Sequence, residues 1–315
     1  MKLVFMGTPA FAVPSLQRIV DAGHHVAAVY TQPDRPKGRG GQVTASPIKV
    51  AAIRLGLTVQ QPERIRREPN IEQLRALQPD AMVVVGYGQI IPQSIIDIPP
   101  VGIINVHASL LPKYRGAAPI QWAIANGESV TGVTTMRIDA GLDTGDMLLK
   151  WATEIGLEEN ALELSPRLAE AGADLLVETL AGLQIGAIRP EKQDSSQATL
   201  APILKKEDGQ IDWSWLATMI YNRSRGLLPW PGTYTTFRGQ QLQIWKTRPV
   251  DPLAAAPGVP GRLHVAQKRL FVACGDGTLL EILELQIEGR KRISAAAFLA
   301  GQRLSDNETL GAKTA

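Results

Sequence analysis

Short apolar runs recur through the first third of the chain, with helix-length segments between them. Residues 2–5 (KLVF), 25–30 (HVAAVY), 58–59 (TV), 81–85 (AMVVV) and 102–106 (GIINV) read as strands. Residues 9–22, 51–55 and 71–77 read as helices. Pro9 suits a helix start, since it lacks only an N–H that would be unpaired there, and Gly23 suits a stop. AMVVV is apolar at every position, as expected of a strand covered on both faces. Strands alternating with helices imply right-handed crossovers and a Rossmann-like, mostly parallel, doubly wound sheet. Ligands of such sheets bind beyond the carboxyl ends of the strands, which points to residues 7–9, 86–88 and 105–109.

Residues 133–138 and 147–151 read as further strands that extend the sheet edge. Residues 161–183 form an amphipathic helical pattern that Pro166 interrupts early, predicting a kink or a later start. The polar stretch 190–206 reads as a linker. After it the pattern changes to a helix over 213–225 and short strands at 234–237, 242–245, 261–265, 270–273 and 279–285, with frayed residues from about Asp306. Five short strands suggest a small OB-like β-barrel. The expected organisation is therefore a domain over 1–189, a linker over 190–206 and a second domain over 207–315. A length of 315 residues suits two domains.

Charge is unevenly spread. Residues 205–315 carry 15 Lys and Arg against 10 Asp and Glu, while the rest carries 18 against 20. A basic second domain on a near-neutral body suits a polyanionic partner, and it equally suits an ordinary solvated surface. No apolar run nears the roughly 20 residues of a membrane span, and the start is too short in apolar residues for a signal peptide, so a cytoplasmic protein is expected. The single cysteine, Cys274, excludes an internal disulfide and sits in the apolar run LFVACG, as a core residue would.

Several chemistries are excluded. The first turn reads GTPAFA and not G-x-G-x-x-G, and Pro9 and Phe11 obstruct close approach of a pyrophosphate. There is no Walker motif, no G-x-S-x-G and no Cys/His cluster at zinc spacing. The loop 139–146 (DAGLDTGD) holds three carboxylates but lacks the closing Glu of a calcium loop, so no metal is expected.

The richest stretch is 105–112 (NVHASLLP), at the end of GIINV. Strand alternation puts Asn105 and His107 on one side, where an amide and an imidazole can converge on one ligand atom. The loop 139–146 could deliver one carboxylate to that imidazole. Position alone leaves open whether His107 is a core histidine or a site residue. His24, His25 and His264 read as structural or solvated. The stretch 34–49 (DRPKGRGGQVTASPIK) has four basic residues and one acid and no apolar periodicity. It is long for an α/β loop, and residue types leave open whether it is merely solvated or grips a nucleic-acid end.

The segments INVHASLLPKYRGAAPIQWAI and TGVTTMRIDAGLDTGDMLL, preceded by GTPAFAVPSL and TQPDRPKGRGGQ, resemble the methionyl-tRNA formyltransferase family over nearly the whole chain, in the right order. LLPWPGTYT at 227–235 also resembles it, although Leu stands where the family often has Asn before Pro-Trp-Pro. The Asn-x-His pair with a downstream Asp is common to folate-dependent formyltransferases of this fold. The resemblance implies Asn105, His107 and Asp143 as catalytic residues. It implies Ser109, Leu110, Leu111 and Pro112 lining a folate site, walled in part by Gly86 and Tyr87. It implies the 34–49 loop, with Arg35, Lys37, Arg39 and Lys49, at the acceptor end of initiator tRNA. It further implies 10-formyltetrahydrofolate as formyl donor, an OB-fold C-terminal domain contacting tRNA, and a monomer. A formyltransferase acting on a sugar-nucleotide amine is the nearest rival. A non-enzymatic RNA-binding protein is another, and it would have no use for the three polar residues together.

Overall fold

The computed structural model describes residues 1–37, 42–250, 258–305 and 307–311. Its contacts divide into two compact units. The first comprises residues 1–119, 130–154 and 164–201, and the second 120–129, 155–163 and 202–315.

The first unit is built on seven strands: β1 (Lys2–Gly7), β2 (His25–Tyr30), β3 (Val59–Gln60), β4 (Ala81–Val85), β5 (Ile103–His107), β6 (Val130–Arg137) and β7 (Met147–Glu154). Their order is β7-β6-β5-β4-β1-β2-β3. The first five run parallel, and β6 and β7 add antiparallel at the edge, as expected. β4 and β5 are buried at every position; β4 is accordingly apolar throughout, whereas β5 buries Asn105 and His107 among its apolar residues. From β1 the chain winds outward first through β2 and β3, then through β4 and β5. The switch in direction therefore lies between β1 and β4, where such sheets bind ligands.

Helices α1 (Val13–Asp21), α2 (Pro47–Arg54) and α3 (Glu68–Ala76) form the crossovers. Pro9 does not open α1; it precedes a 3₁₀ turn at Ala10–Ala12, and Pro14 lies in the first turn of α1. Gly23 ends that passage at φ +79°. A short helix, α4 (Pro119–Ala125), precedes β6. The long helix α5 runs Ala161–Gln184 with Pro166 inside. Its start is fixed ahead of the proline by a reciprocal cap. Asn160 Oδ1 accepts the Leu162 and Glu163 N–H groups, and Glu163 Oε2 accepts the Asn160 N–H. At Gly172 a Cβ would lie 2.9 Å from Val106 Cγ1, so glycine lets α5 approach the sheet closely.

The stretch expected as a linker is partly knitted into this unit. Glu191 bridges Met147, and Leu200–Ala201 pairs with Arg115–Gly116. Periodicity does not reveal this, because the bonds are made by backbone groups that every polar stretch carries.

The second unit has β8 (Thr233–Phe237), β9 (Gln240–Val250), β10 (Leu263–Ala266), β11 (Arg269–Ala273), β12 (Leu279–Ile287) and β13 (Ile293–Ser294). The antiparallel order is β8-β9-β12-β11-β10, with β13 on β12. The two sheet edges are tied by one segment: the Gly311 N–H donates to Thr236 O on β8, and Leu310 N–H donates to Gly261 O just before β10. This barrel-like closure leaves neither edge fully open. Its core includes Trp213, Phe237, Ile244, Val272, Leu280 and Phe298. Cys274 is buried here, and burial pushes its thiol up to about 12, so it is held as the neutral thiol.

Helix α6 is Ala217–Gly226, shorter than the expected 213–225. Asp212 accepts both the N–H and the hydroxyl of Ser214, a local turn that competes with helix. At Gly226 a Cβ would meet Gln121 O at 2.8 Å, so α6 packs backbone to backbone on α4. Helix α7 (Ala295–Gly301), capped by Ser294, was not anticipated from the sequence pattern. No helix among the described residues is long and apolar enough to cross a membrane.

Candidate active site

Three strand ends meet where the fold directs a ligand. Thr8 Oγ1 donates to Tyr87 O at 3.0 Å and Gln32 Nε2 to the same carbonyl at 3.3 Å, joining the ends of β1, β2 and β4. Gly86 has φ +58°, and a Cβ there would lie 2.9 Å from Pro9 Cγ, so only glycine fits. Gly86 is exposed at this rim, whereas the Tyr87 side chain is buried in the core with Tyr30 and Ile65. Burial pushes both phenols up, Tyr30 to about 12.

One strand over, β5 ends in Asn105 and His107. Both are nearly enclosed, 8% and 5% exposed, which strengthens any charge they meet. His107 Nε2 lies 2.9 Å from the Tyr114 carbonyl. A carbonyl only accepts, so Nε2 carries a hydrogen and the tautomer is set. Nδ1 is left to face Asp143 Oδ2 at 3.6 Å. The same oxygen accepts the Gly116 N–H at 2.9 Å, and Asp143 Oδ1 lies 3.5 Å from Asn105 Nδ2. The Asn105 contact is long for a hydrogen bond, so its amide remains available to another acceptor.

The loop that carries Asp143 is shaped by its neighbours. Asp139 accepts the Gly141 N–H and the Thr144 hydroxyl. At Gly145 a Cβ would lie 1.9 Å from Arg137 O, so no other residue fits without moving β6. Asp143 itself sits at φ +51°, a conformation aspartate tolerates better than most residues. The three carboxylates of the loop are therefore not equivalent: Asp139 staples the turn and Asp143 reaches the imidazole. Among the described residues no group of His, Cys, Asp and Glu is placed to hold a metal.

The segment after His107 divides by direction. Ser109 is buried, its hydroxyl donating to Lys113 O at 2.6 Å, and Leu111 is buried with Met136 and Met147. Thr134 ties the segment by donating to Ser109 O and accepting the Leu111 N–H. Leu110 and Pro112 are half-exposed. Of the four residues expected to line a pocket, these two present side-chain surface and the other two support them.

In the basic loop, Arg35–Lys37 and Gln42–Thr44 pair as a small antiparallel hairpin, more order than a solvated loop implies. Arg39 and the Lys37 side chain lie outside the described residues. Arg35 is exposed, reaching Gln32 Oε1 only at 3.5 Å. Lys49 instead makes an ion pair with Asp34, whose other oxygen accepts Gln61 Nε2 at 2.7 Å. Lys49 and Gln61 hold the Asp34 carboxyl below its ordinary range.

Comparison with known proteins accords with this geometry. The formyl transferase family profile matches residues 1–180, and the formyl transferase C-terminal domain profile matches residues 203–303. The chain is 68% identical over 312 residues to methionyl-tRNA formyltransferase of Solibacter usitatus, covering 99% of each chain. This chain belongs to the methionyl-tRNA formyltransferase family. The enzyme of that name from Koribacter versatilis is 58% identical, again with 99% of each chain covered. A sugar 3N-formyl transferase, solved with dTDP and 5-N-formyl-THF, shares the fold with a TM-score of 0.68 at 18% identity, covering 92% of this chain and 99% of that one. HypX from Aquifex aeolicus, solved with tetrahydrofolic acid, does so with a TM-score of 0.61 at 16% identity, covering 95% of this chain and 47% of its own. Methionyl-tRNA formyltransferases and sugar formyltransferases thus share an architecture, and full-length identity is what separates the family of this chain from that fold.

Two contributors escaped the sequence reading: the Tyr114 carbonyl that sets the His107 tautomer and the Gly116 N–H that holds Asp143. Backbone groups carry no residue signature. The only trace was Gly116 in the KYRG turn, where φ is +121° and a Cβ would lie 2.6 Å from Ala201 O.

Proposed function

We propose that this chain transfers the formyl group of 10-formyltetrahydrofolate to the free amino group of initiator methionyl-tRNA, giving N-formylmethionyl-tRNA for translation initiation. The observation that carries it is the delivery of Asp143 to the Asn105–His107 edge of β5. The choice of acceptor rests on near-full-length identity to relatives named for that activity.

The folate supplies an activated formyl carbon, which the methionine amine attacks. The Asn105 amide donates to the oxygen as it becomes negative. Losing such a donor costs on the order of 3 kcal/mol in the barrier. His107 Nε2 is occupied by Tyr114 O, so proton traffic passes through Nδ1 and the facing Asp143 carboxylate. That pair takes the proton shed by the attacking amine and returns one to the departing folate nitrogen. Proton transfers of this kind contribute roughly 10²–10⁴-fold.

Gly86, Leu110 and Pro112 would border the folate, with Tyr87, Ser109 and Leu111 supporting that wall from within. Arg35, Lys37, Arg39 and Lys49 are proposed for the tRNA end. These contacts would go mainly to phosphates, which set register and not sequence. A cytoplasmic monomer is part of the same proposal.

The test is single-turnover formylation with initiator and elongator methionyl-tRNA, using His107→Ala as control. Formyl-methionine should form faster on the initiator and be lost by about 10²–10⁴-fold in the variant. Product on an amino-sugar nucleotide, with none on either tRNA, would overturn the acceptor and keep the chemistry.

A further inference from the structure

Gln193 lies in the polar stretch after α5, which looked like linker, yet its side chain reaches the loop that carries Asp143. Gln193 Nε2 is 2.8 Å from the Asp143 carbonyl oxygen and 2.7 Å from that of Gly145. Its Oε1 accepts from Arg115 Nε at 2.9 Å. The orientation of this amide follows from chemistry. A guanidinium only donates and carbonyls only accept, so Oε1 must face Arg115 and both N–H groups must face the loop. Arg115 is itself buried, and its Nη2 has no hydrogen-bond partner among the described residues. A buried guanidinium with an unsatisfied group is costly to keep unless its remaining bond is useful.

We propose that Gln193 is a positioning residue for Asp143, keyed by Arg115; this rests on the reading of Asp143 as catalytic. The clamp acts on a residue whose backbone is unusual. With Asp143 at φ +51°, relaxation to the common right-handed conformation would swing its carboxylate away from Gly116 and His107. Gly116 holds the carboxylate end of Asp143, and Gln193 holds the carbonyl end of the same residue. Neither contact brings a charge, so the carboxylate is located without being neutralised by a cation.

The substitution that tests this is Gln193→Glu. It preserves size and gives Arg115 a charged partner, but it turns a carboxylate oxygen toward two carbonyl oxygens. In single-turnover formylation of initiator methionyl-tRNA the rate should fall by about 10- to 100-fold, as for misplacement of a reacting group by about 1 Å. KM for both substrates should stay within about threefold of the parent. The loss should be the same at pH 6 and at pH 8, because Arg115 keeps the introduced carboxyl ionised over that range. Gln193→Met, of similar length and without a donor, should lose rate with a pH profile parallel to the parent. Asp143→Asn runs alongside. Parent-like rates in both Gln193 variants beside an inactive Asp143→Asn would overturn the clamp alone. So would a loss confined to KM. Full activity in Asp143→Asn would overturn the catalytic reading and the clamp with it.

Discussion

Asp143 in the first unit and Glu281 in the second are both carboxylates drawn largely out of water, with side chains 19% and 4% exposed, and they are held in opposite ways. Glu281 lies on β12 between two arginines. Arg269 and Arg248 both donate to it, at distances down to 2.6 Å, and hold its carboxyl below the ordinary range. Asp143 accepts the Gly116 N–H and a long contact from the Asn105 amide, and it faces His107 Nδ1 at 3.6 Å. A carboxylate locked between guanidiniums is committed to holding strands together. One located by uncharged donors is free, on the proposed reading, to use its charge on a partner that changes during a reaction. Burial alone does not tell the two apart; the charge of the donors does.

The largest effect expected from this contrast is on activity. Asp143→Asn keeps an oxygen for Gly116 but removes the charge beside His107. Single-turnover formylation should fall by about 10²–10⁴-fold, while urea unfolding shifts by less than about 1 kcal/mol. A large loss of stability with little loss of rate would reverse the roles assigned to the two carboxylates.

Glu281→Gln should behave in the converse way. Both arginines are about half exposed, 56% and 43%, so water offsets part of what a fully buried pair would lose. A cost of about 2 kcal/mol is expected at neutral pH, with the chemical step within about threefold of the parent. The pH dependence has a fixed sign. Because the folded-state value of Glu281 is depressed, its stabilisation is fully present above the unfolded carboxyl value of about 4.3. It is lost as the pH falls through the lower folded value. Urea unfolding of parent and variant should therefore differ by a constant amount above about pH 5.5 and converge in acid. A gap that persists unchanged into acid would mean that packing, and not charge, accounts for the difference.

The same contrast explains what could be read in advance. The parallel sheet was legible because β4 is buried on both faces and is apolar throughout, and β5 opens with the apolar pair Ile103-Ile104. Asn105 and His107 were legible as a pair because alternation along β5 puts them on one side. Asp143 was assigned by resemblance; spacing alone did not choose it from Asp139 and Asp146. The supports of Asp143 were not legible. Gly116 contributes a backbone N–H, and Gln193 comes from a stretch whose composition suggested a linker. Glu281 was hidden for a related reason. In LLEILELQI a glutamate looks like a residue for the wet face of an alternating strand, and only the arginines of β9 and β11, brought together by sheet order, show why it is buried.

The contrast extends, with the smallest expected effect, to the basic hairpin. Arg35 and Lys49 were both assigned to the tRNA end by resemblance, as members of the basic 34–49 stretch. Lys49 is already paired with Asp34, and a cation neutralised by a neighbouring carboxylate contributes less to a phosphate than one facing solvent. Among the described residues Arg35 has only the long contact to Gln32. Arg35→Ala should therefore weaken methionyl-tRNA binding several-fold and lower the slope of log affinity against log salt by about 1, the signature of one lost phosphate contact. Lys49→Met should leave that slope unchanged. Equal slopes for the two variants would show that Lys49 exchanges Asp34 for a phosphate when tRNA arrives, making the ion pair a resting place for the lysine and not its final partner.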